Sequence, residues 1–234
     1  ENASQLRSRI AQALNVPQTV RLGPSLAAAL PDSRFDHPAH TSTNIPPIPS
    51  TTDSKSFRLL QDRLIVADLI IPRQILDDII AHAKELTPYE CCGLLAGTNG
   101  VVSRLYRIKN IVAMEGAQNL SSFDSAKAAH LERLSPAERA EIAFVMDMQD
   151  FSASKKDMRN NGLDLQVIYH SHPHDPARPS ITDIKIATDY EEIWPKINLP
   201  LPAYLLVSLM NAEPDVKTYW IKSGRVTPTD ILIR

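Results

Sequence analysis

The chain has 234 residues, of which 43% are hydrophobic and 22% charged, and its formal net charge is −2. This composition is ordinary for a globular protein, and the nearly balanced charge excludes an electrostatic argument for nucleic acid or an anionic membrane as partner. No apolar run approaches the roughly 18 residues that a membrane-spanning helix needs. The only cysteines, Cys91 and Cys92, are adjacent and make poor disulfide partners. We therefore expect a reducing compartment and a cytoplasmic location.

The first 58 residues predict an arm rather than a domain. Seven of the 18 prolines precede residue 50, and the stretch over residues 44–52 is typical of an extended linker. Leu6, Ile10 and Leu14 recur at helical spacing and predict one short amphipathic helix. This apolar surface is too small for an independent core, so we expect the arm to bind a surface rather than contribute to catalysis.

Residues 59–234 predict one α/β domain. Strands are predicted over residues 64–71, 91–96, 101–108, 165–169, 204–209 and 216–221. Helices are predicted over residues 72–86, 152–160 and 182–190. Residues 125–149 are mostly helix-forming, and Ser135-Pro136-Ala137-Glu138 resembles a helix start within them. Because strands and helices interleave without a regular βαβ repeat, we expect a single mixed α/β sandwich.

The strongest chemical signal is the run His170-Ser171-His172, followed by Ser180 and Asp183. Residues two apart on a strand project to the same side, so both imidazoles can face one ion. Asp183 adds a carboxylate from the first turn of the next predicted helix, for which Ser180 is a candidate cap. Three protein ligands leave one tetrahedral position open, which is typical of a catalytic zinc whose water has a pKa near 7.

A hydrolase of this kind also needs a base that does not bind the metal. Glu90 is the candidate, because it stands at the head of the predicted apolar strand over residues 91–96. Carboxylates are almost never buried unless they are paired or functional. The sequence therefore predicts a role for Glu90 in proton transfer.

These residues together resemble the JAMM (MPN+) family of zinc metallopeptidases, and in particular its bacterial branch. His170-x-His172, then seven residues, Ser180, two residues and Asp183 reproduce the family signature, and Glu90 lies in the matching Pro-x-Glu-x-x-Gly setting. The resemblance covers roughly residues 60–234. It implies a curved mixed β-sheet flanked by helices, akin to that of cytidine deaminases.

The resemblance also implies a mechanism and a class of substrate. One Zn²⁺ per chain would be bound by His170, His172 and Asp183. Glu90 would carry the proton, and Ser180 would donate a hydrogen bond to the oxyanion. Members of the family cleave the amide bond after the C-terminal glycine of ubiquitin-like or sulfur-carrier proteins.

Two other functions remain open at this stage. The protein could trim small adducts, such as an amino acid on the terminal glycine of a carrier, or it could be a non-catalytic MPN scaffold. The segment over residues 110–146 is longer than a minimal domain needs, and in this family such insertions flank the substrate groove. We expect Cys91 and Cys92 to be packing residues and His174 to be a solvated loop residue. Trp194 is equally compatible with the core and with substrate contact.

Overall fold

The computed structural model describes residues 69–114 and 120–234. The arm predicted over residues 1–58 and its boundary with the domain lie outside these residues. Within the two described ranges, no helix has both the length and the apolar character needed to cross a bilayer.

Strands and helices alternate irregularly along the described chain. The strands are β1 (Leu69–Ile71), β2 (Cys92–Thr98), β3 (Val101–Ile108), β4 (Asp164–His172), β5 (Ala203–Ser208), β6 (Asp215–Lys222), β7 (Arg225–Thr229) and β8 (Ile231–Ile233). The helices are α1 (Arg73–Leu86), α2 (Ser125–Glu132), α3 (Pro136–Ile142), α4 (Met148–Asn160), α5 (Ile181–Tyr190) and α6 (Ile193–Lys196). Apart from the elements discussed below, the bounds differ from the predicted ones by only a few residues.

The strands of the described residues form one sheet in the order β7-β6-β5-β4-β2-β3-β1-β8. β4 pairs in parallel with β5 and antiparallel with β2, and β1 pairs in parallel with both β3 and β8. The other neighbours are antiparallel. The predicted α/β fold with a mixed sheet and flanking helices is therefore confirmed.

The helix start predicted at Ser135-Pro136-Ala137-Glu138 is confirmed, and it divides the helix-forming stretch over residues 125–149. Ser135 caps α3 and Pro136 occupies its first turn, so a new helix begins where α2 has already ended. Ala143 adopts extended dihedrals that end α3, and Asp147 caps α4, which begins four residues earlier than predicted. We call residues 110–146, with α2 and α3, the insertion.

Two C-terminal strands, β7 and β8, were not predicted. β7 follows a turn in which Ser223 and Gly224 both have positive φ, and it contains Pro228, which disfavours the interior of a sheet. β7 and β8 are the two edge strands of the sheet, and most of their residues are only partly buried or exposed. Their weak apolar alternation explains why the sequence pattern did not reveal them.

The sheet is covered by helices on both faces, because successive residues of a strand point to opposite sides. One core contains the buried face of α1 together with Leu95, Val167 and Tyr169. The other contains Leu94, Ile168 and Trp194, with side chains from α4, α5 and α6. The insertion has a small core of its own, which consists of Val112, Leu120, Leu131, Ala140 and Ala143.

Gly93 permits a close approach between β2 and the ring of Tyr169. A Cβ at this position would overlap both the Tyr106 carbonyl and the Tyr169 ring. Tyr169 is fully buried and contacts His82 of α1, with 2.9 Å between the hydroxyl and Nδ1. The glycine therefore fixes the spacing of β2 and β4 at the point where the sheet packs on α1.

We predict that Gly93→Ala lowers the free energy of unfolding by about 3 kcal/mol, the upper end of the usual cost of overpacking. Gly162→Ala is the control: its Cβ would meet open space, but its φ of 63° is unfavourable for alanine. That control should lose about 1 kcal/mol. Urea unfolding followed by circular dichroism measures both variants. Equal losses would show that the contact with Tyr169 is not a constraint.

Candidate functional site

His170 and His172 lie at the end of β4, between β2 and β5. Their positions two apart direct both rings to the same face, as predicted. The two Nε2 atoms are 3.0 Å apart, and both side chains are buried. The pair therefore offers two converging nitrogen donors in a site with little access to water.

Asp183 completes a cluster with the two imidazoles. It lies in the first turn of α5, with Oδ1 3.6 Å from His170 Nε2 and Oδ2 3.7 Å from His172 Nε2. Donor atoms of the three residues all lie within 4.8 Å of one another. The structure thus brings together the three residues that the sequence proposed as ligands.

The cluster fits a metal ion with three protein ligands. Ligand atoms about 2.1 Å from a tetrahedral Zn²⁺ lie roughly 3.4 Å apart, close to the separations found here. His172 Nδ1 is 2.9 Å from the carbonyl oxygen of Pro176. Because a carbonyl only accepts, Nδ1 donates, and Nε2 of the neutral ring keeps its lone pair for a metal.

The charges of the cluster are complementary. Burial raises the pKa of Asp183, but the charge of His170 and hydrogen bonds within the cluster outweigh it and hold this pKa well below its ordinary value. Burial lowers the pKa of His172, but Asp183 and the Pro176 carbonyl outweigh that effect and raise it. The carboxylate is therefore ionised next to two imidazole nitrogens, which favours a cation between them.

Glu90 lies two residues before β2, and its side chain faces the same cavity as His172 and Asp183. The residue is only 8% exposed. Burial, with the neighbouring charge of Asp183, raises its pKa well above the ordinary value, whereas Lys127 opposes the shift. A carboxyl group with a raised pKa close to a candidate metal site is suited to exchanging protons.

Ser171 connects the segment of Glu90 to the ligand strand. It lies between the two histidines and points to the opposite side of the sheet, as expected. Its Oγ accepts a hydrogen bond from Cys91 N at 2.8 Å, and its backbone N–H donates to Cys91 O at 3.0 Å. Ser171 thereby fixes the position of β4 relative to the residue that follows Glu90.

Ser180 caps α5 and orients Asp183 at the same time. Its Oγ accepts from Asp183 N at 3.1 Å, and its backbone N–H donates to Asp183 Oδ2 at 2.7 Å. This reciprocal pair is a capping box, with an aspartate in the position usually held by glutamate or glutamine. Since Oγ only accepts in this motif, the hydroxyl hydrogen remains able to donate to a substrate in the cavity.

A cavity of about 470 Å³ surrounds these side chains. One wall comes from the insertion and contains Phe123, Lys127, Ile142, Ala143 and Phe144. The opposite wall includes Arg178 and the start of α5, where Ile181 is 87% exposed. The insertion thus flanks the cavity, as expected from the sequence.

The remaining candidates have simpler roles. Trp194 is buried in the core next to Phe151. His174 is exposed, with its ring 3.7 Å from the carboxylate of Glu141. Both cysteines are buried, and burial raises the pKa of the Cys91 thiol to about 11, which supports a packing role.

Sequence reasoning missed Asn110, which follows β3 at the base of the insertion. Its carboxamide contacts the backbone of Glu90 and of three insertion residues. No periodic pattern marks it, because its partners lie up to 35 positions away. The only local signal is an asparagine two residues after the end of a strand.

Comparison with known proteins agrees with this arrangement. The profile of a family described as prokaryotic homologues of the JAB domain matches residues 72–222. A Mycobacterium tuberculosis protein named CysO-cysteine peptidase is 29% identical over 160 residues, which cover 68% of this chain and 86% of that protein. A Thermus thermophilus protein named probable TtuB-protein conjugate cleaving protease is 31% identical over 119 residues, covering 51% of this chain and 63% of that protein.

One solved structure is also similar. It is the solution structure of a protein from Desulfitobacterium hafniense, with 28% sequence identity and a TM-score of 0.49. The match covers 70% of this chain and 92% of that one.

Two serines in equivalent caps allow the role of Ser180 to be tested. We predict that Ser180→Ala and Ser135→Ala each lower the free energy of unfolding by about 1 kcal/mol, because each loses the hydroxyl of a capping box. Only Ser180→Ala should also weaken metal binding, since only this cap orients Asp183. Thermal unfolding and titration with Zn²⁺ measure the two effects. Equal metal affinity in both variants would exclude a role of the Ser180 hydroxyl in orienting Asp183.

Proposed function

This chain belongs to the family of prokaryotic homologues of the JAB domain, and we propose that it is a zinc-dependent peptidase acting on conjugates of a sulfur-carrier or ubiquitin-like protein. It would hydrolyse the amide bond that follows the C-terminal glycine of the carrier. The observation that supports this best is the convergence of His170, His172 and Asp183 beside the cavity that His172, Asp183 and Glu90 line. We also propose a cytoplasmic location, because the adjacent thiols Cys91 and Cys92 are free.

His170, His172 and Asp183 would hold one Zn²⁺ through two imidazole nitrogens and a carboxylate oxygen. When bound, the ion would supply Lewis-acid chemistry, polarising the scissile carbonyl and making water nucleophilic near neutral pH. The Pro176 carbonyl keeps the ring of His172 in the tautomer that leaves Nε2 available. The Ser180 backbone N–H holds Asp183 Oδ2.

Glu90 would move the proton during hydrolysis. Its carboxylate takes a proton from the attacking water and delivers it to the nitrogen of the leaving amine. Burial and the charge of Asp183 raise the pKa of Glu90, which makes its carboxylate a stronger base towards the proton of water than an ordinary carboxylate. Its burial also keeps bulk water from competing for that proton.

Ser180 would stabilise the tetrahedral intermediate. Its hydroxyl hydrogen is not used by the cap of α5, and Ser180 lines the cavity next to the metal ligands. A donor to the developing oxyanion is typically worth about 2.7–4 kcal/mol in the rate-determining barrier. Ser180 therefore combines a cap, an orienting contact to Asp183 and an oxyanion donor.

The names of the two relatives support a carrier protein as substrate, but they differ in what is removed from it. One name denotes release of cysteine, and the other denotes cleavage of a protein conjugate. The cavity contains two cationic side chains, Lys127 and Arg178. A free amino acid leaves with its α-carboxylate, which a cation can bind, whereas the side chain of a conjugated lysine brings no carboxylate. We therefore favour a carrier–amino acid adduct as substrate.

The metal and the base can be separated by mutation. We predict one zinc per chain in the wild type, none in His172→Ala, and one in Glu90→Gln, because Glu90 does not bind the ion. Glu90→Gln should lower kcat at least about 100-fold, since general acid–base catalysis typically contributes that much. Elemental analysis and hydrolysis of a carrier–amino acid adduct measure these quantities. A Glu90→Gln variant with wild-type turnover would favour a different base, and a wild type without turnover would favour the non-catalytic MPN scaffold.

The preference for a small adduct gives a second prediction. Arg178→Gln should raise KM for a carrier–amino acid adduct about tenfold, because a charged hydrogen bond of about 1.5–3 kcal/mol is lost. The same variant should leave KM for a carrier–lysine isopeptide unchanged. Arg159→Gln, on the exposed side of α4, is the control and should affect neither substrate. A similar effect of Arg178→Gln on both substrates would contradict a carboxylate contact.

A further inference from the structure

The main chain of Glu90 is held by the insertion rather than by the sheet. The ladder pairs of β2 begin at Cys92, two residues after Glu90. The Glu90 backbone N–H donates to Ala140 O at 2.7 Å, and the Glu90 carbonyl accepts from Asn110 Nδ2 at 3.0 Å. Both partners belong to the segment that forms one wall of the cavity, so the insertion and the candidate base are mechanically connected.

Asn110 uses the full hydrogen-bonding capacity of its carboxamide. Nδ2 donates to the carbonyls of Glu90 and Ala143, at 3.0 and 3.1 Å. Oδ1 accepts from the N–H groups of Val112 and Val145, both at 3.1 Å. Two carbonyls facing one end and two N–H groups facing the other determine the orientation of the amide without ambiguity.

The two halves of this amide serve different parts of the structure. The acceptor half binds residues from both ends of the insertion, close to the bridge between Asn110 and Met146. The donor half links Ala143, which lines the cavity, to the backbone of Glu90. Closure of the insertion and placement of Glu90 therefore depend on one side chain.

We propose that Asn110 is a positioning residue, which fixes the backbone of Glu90 at the distance from the ligand strand that proton transfer requires. The inference rests on the proposed function, in which Glu90 carries the proton. A hydrogen bond from Cys91 N to Ser171 Oγ connects the residue after Glu90 to β4. A hydrogen bond from Asn110 Nδ2 to the Glu90 carbonyl connects Glu90 itself to the insertion. Without the bond from Asn110, Glu90 keeps only the bond from its N–H to Ala140 O on the side of the insertion, and its carboxylate can shift relative to the reacting atoms.

Neither aspartate nor alanine can make all four of these bonds. Aspartate keeps two acceptor lone pairs for Val112 and Val145 but, when ionised, has no hydrogen for the Glu90 carbonyl. Alanine removes all four bonds and leaves two carbonyls and two N–H groups without this partner. The pair of variants therefore separates placement of Glu90 from closure of the insertion.

The experiment uses the zinc-loaded full chain and a carrier–amino acid adduct as substrate. We expect Asn110→Ala and Asn110→Asp each to lower kcat about 100-fold, the usual effect of a misplacement near 1 Å. KM should change less than about threefold, and one zinc per chain should remain bound. Hydrogen–deuterium exchange should accelerate at the Glu90 amide in both variants, because release of the Glu90 carbonyl loosens the neighbouring bond from the Glu90 N–H to Ala140 O. Exchange should accelerate at the Val112 and Val145 amides, which donate to Oδ1, only in Asn110→Ala.

Asn161→Ala is the matched control. This exposed asparagine also donates two bonds through Nδ2, to the backbone and side chain of Asp157, but it lies at the end of α4. It should leave kcat and exchange at Glu90 unchanged. Wild-type kcat in Asn110→Asp would overturn the proposal, as would loss of zinc in proportion to the loss of kcat.

The outcome also separates this proposal from the proposed function. If the wild type cleaves no carrier adduct, the proposed function fails, and exchange at the Glu90 amide still decides whether Asn110 anchors that segment. If the wild type is active and exchange at Glu90 is the same in Asn110→Asp as in the wild type, the proposed function stands and the role of Asn110 is refuted. If Asn110→Ala does not fold, the nearly isosteric Asn110→Asp carries the test alone.

Discussion

The end of β4 is constrained by hydrogen bonds to β2 on one side and to β5 on the other. Because a strand so placed cannot rotate, alternate residues must point to opposite faces. His170 and His172 face the cavity, whereas Tyr169 and Ser171 face the side of α1 and make the contacts that hold the sheet together. The geometry of the two imidazoles thus follows from main-chain pairing rather than from contacts among the ligands.

Around this strand, each functional side chain is oriented by a backbone group of a different segment. The Pro176 carbonyl selects the tautomer of His172, the cap of α5 holds Asp183, and the insertion holds the main chain of Glu90. Such contacts cost little reorganisation during a reaction, because the orienting dipoles are already in place. The pKa values of the two carboxyl groups are shifted in opposite directions, because burial and the charge of Asp183 raise that of Glu90, whereas the charge of His170 and hydrogen bonds overcome burial and lower that of Asp183.

The sequence predicted those parts of the fold and site that depend on local spacing. The pair His170 and His172 and the pair Ser180 and Asp183 are separated by the period of a strand and of a helical turn, and the structure brings them together. The role of Asn110 was not predicted, because three of its four hydrogen bonds join it to residues distant in sequence. The end strands β7 and β8 are short and have no fully buried residue, so their pattern is weak, whereas the capping sequence at Ser135 marked the start of α3. The arm over residues 1–58 remains a prediction.

The insertion buries five apolar side chains of its own, and its two ends pair with each other at the bridge between Asn110 and Met146. Residues on the outer faces of α2 and α3 therefore belong neither to that core nor to the hydrogen bonds of Asn110. Substitutions on those faces would change the outer surface of the insertion without removing the hydrogen bonds that hold Glu90. The outer surface and the position of Glu90 can thus vary independently, although the Asn110 carboxamide and the Ala140 carbonyl join the insertion to Glu90.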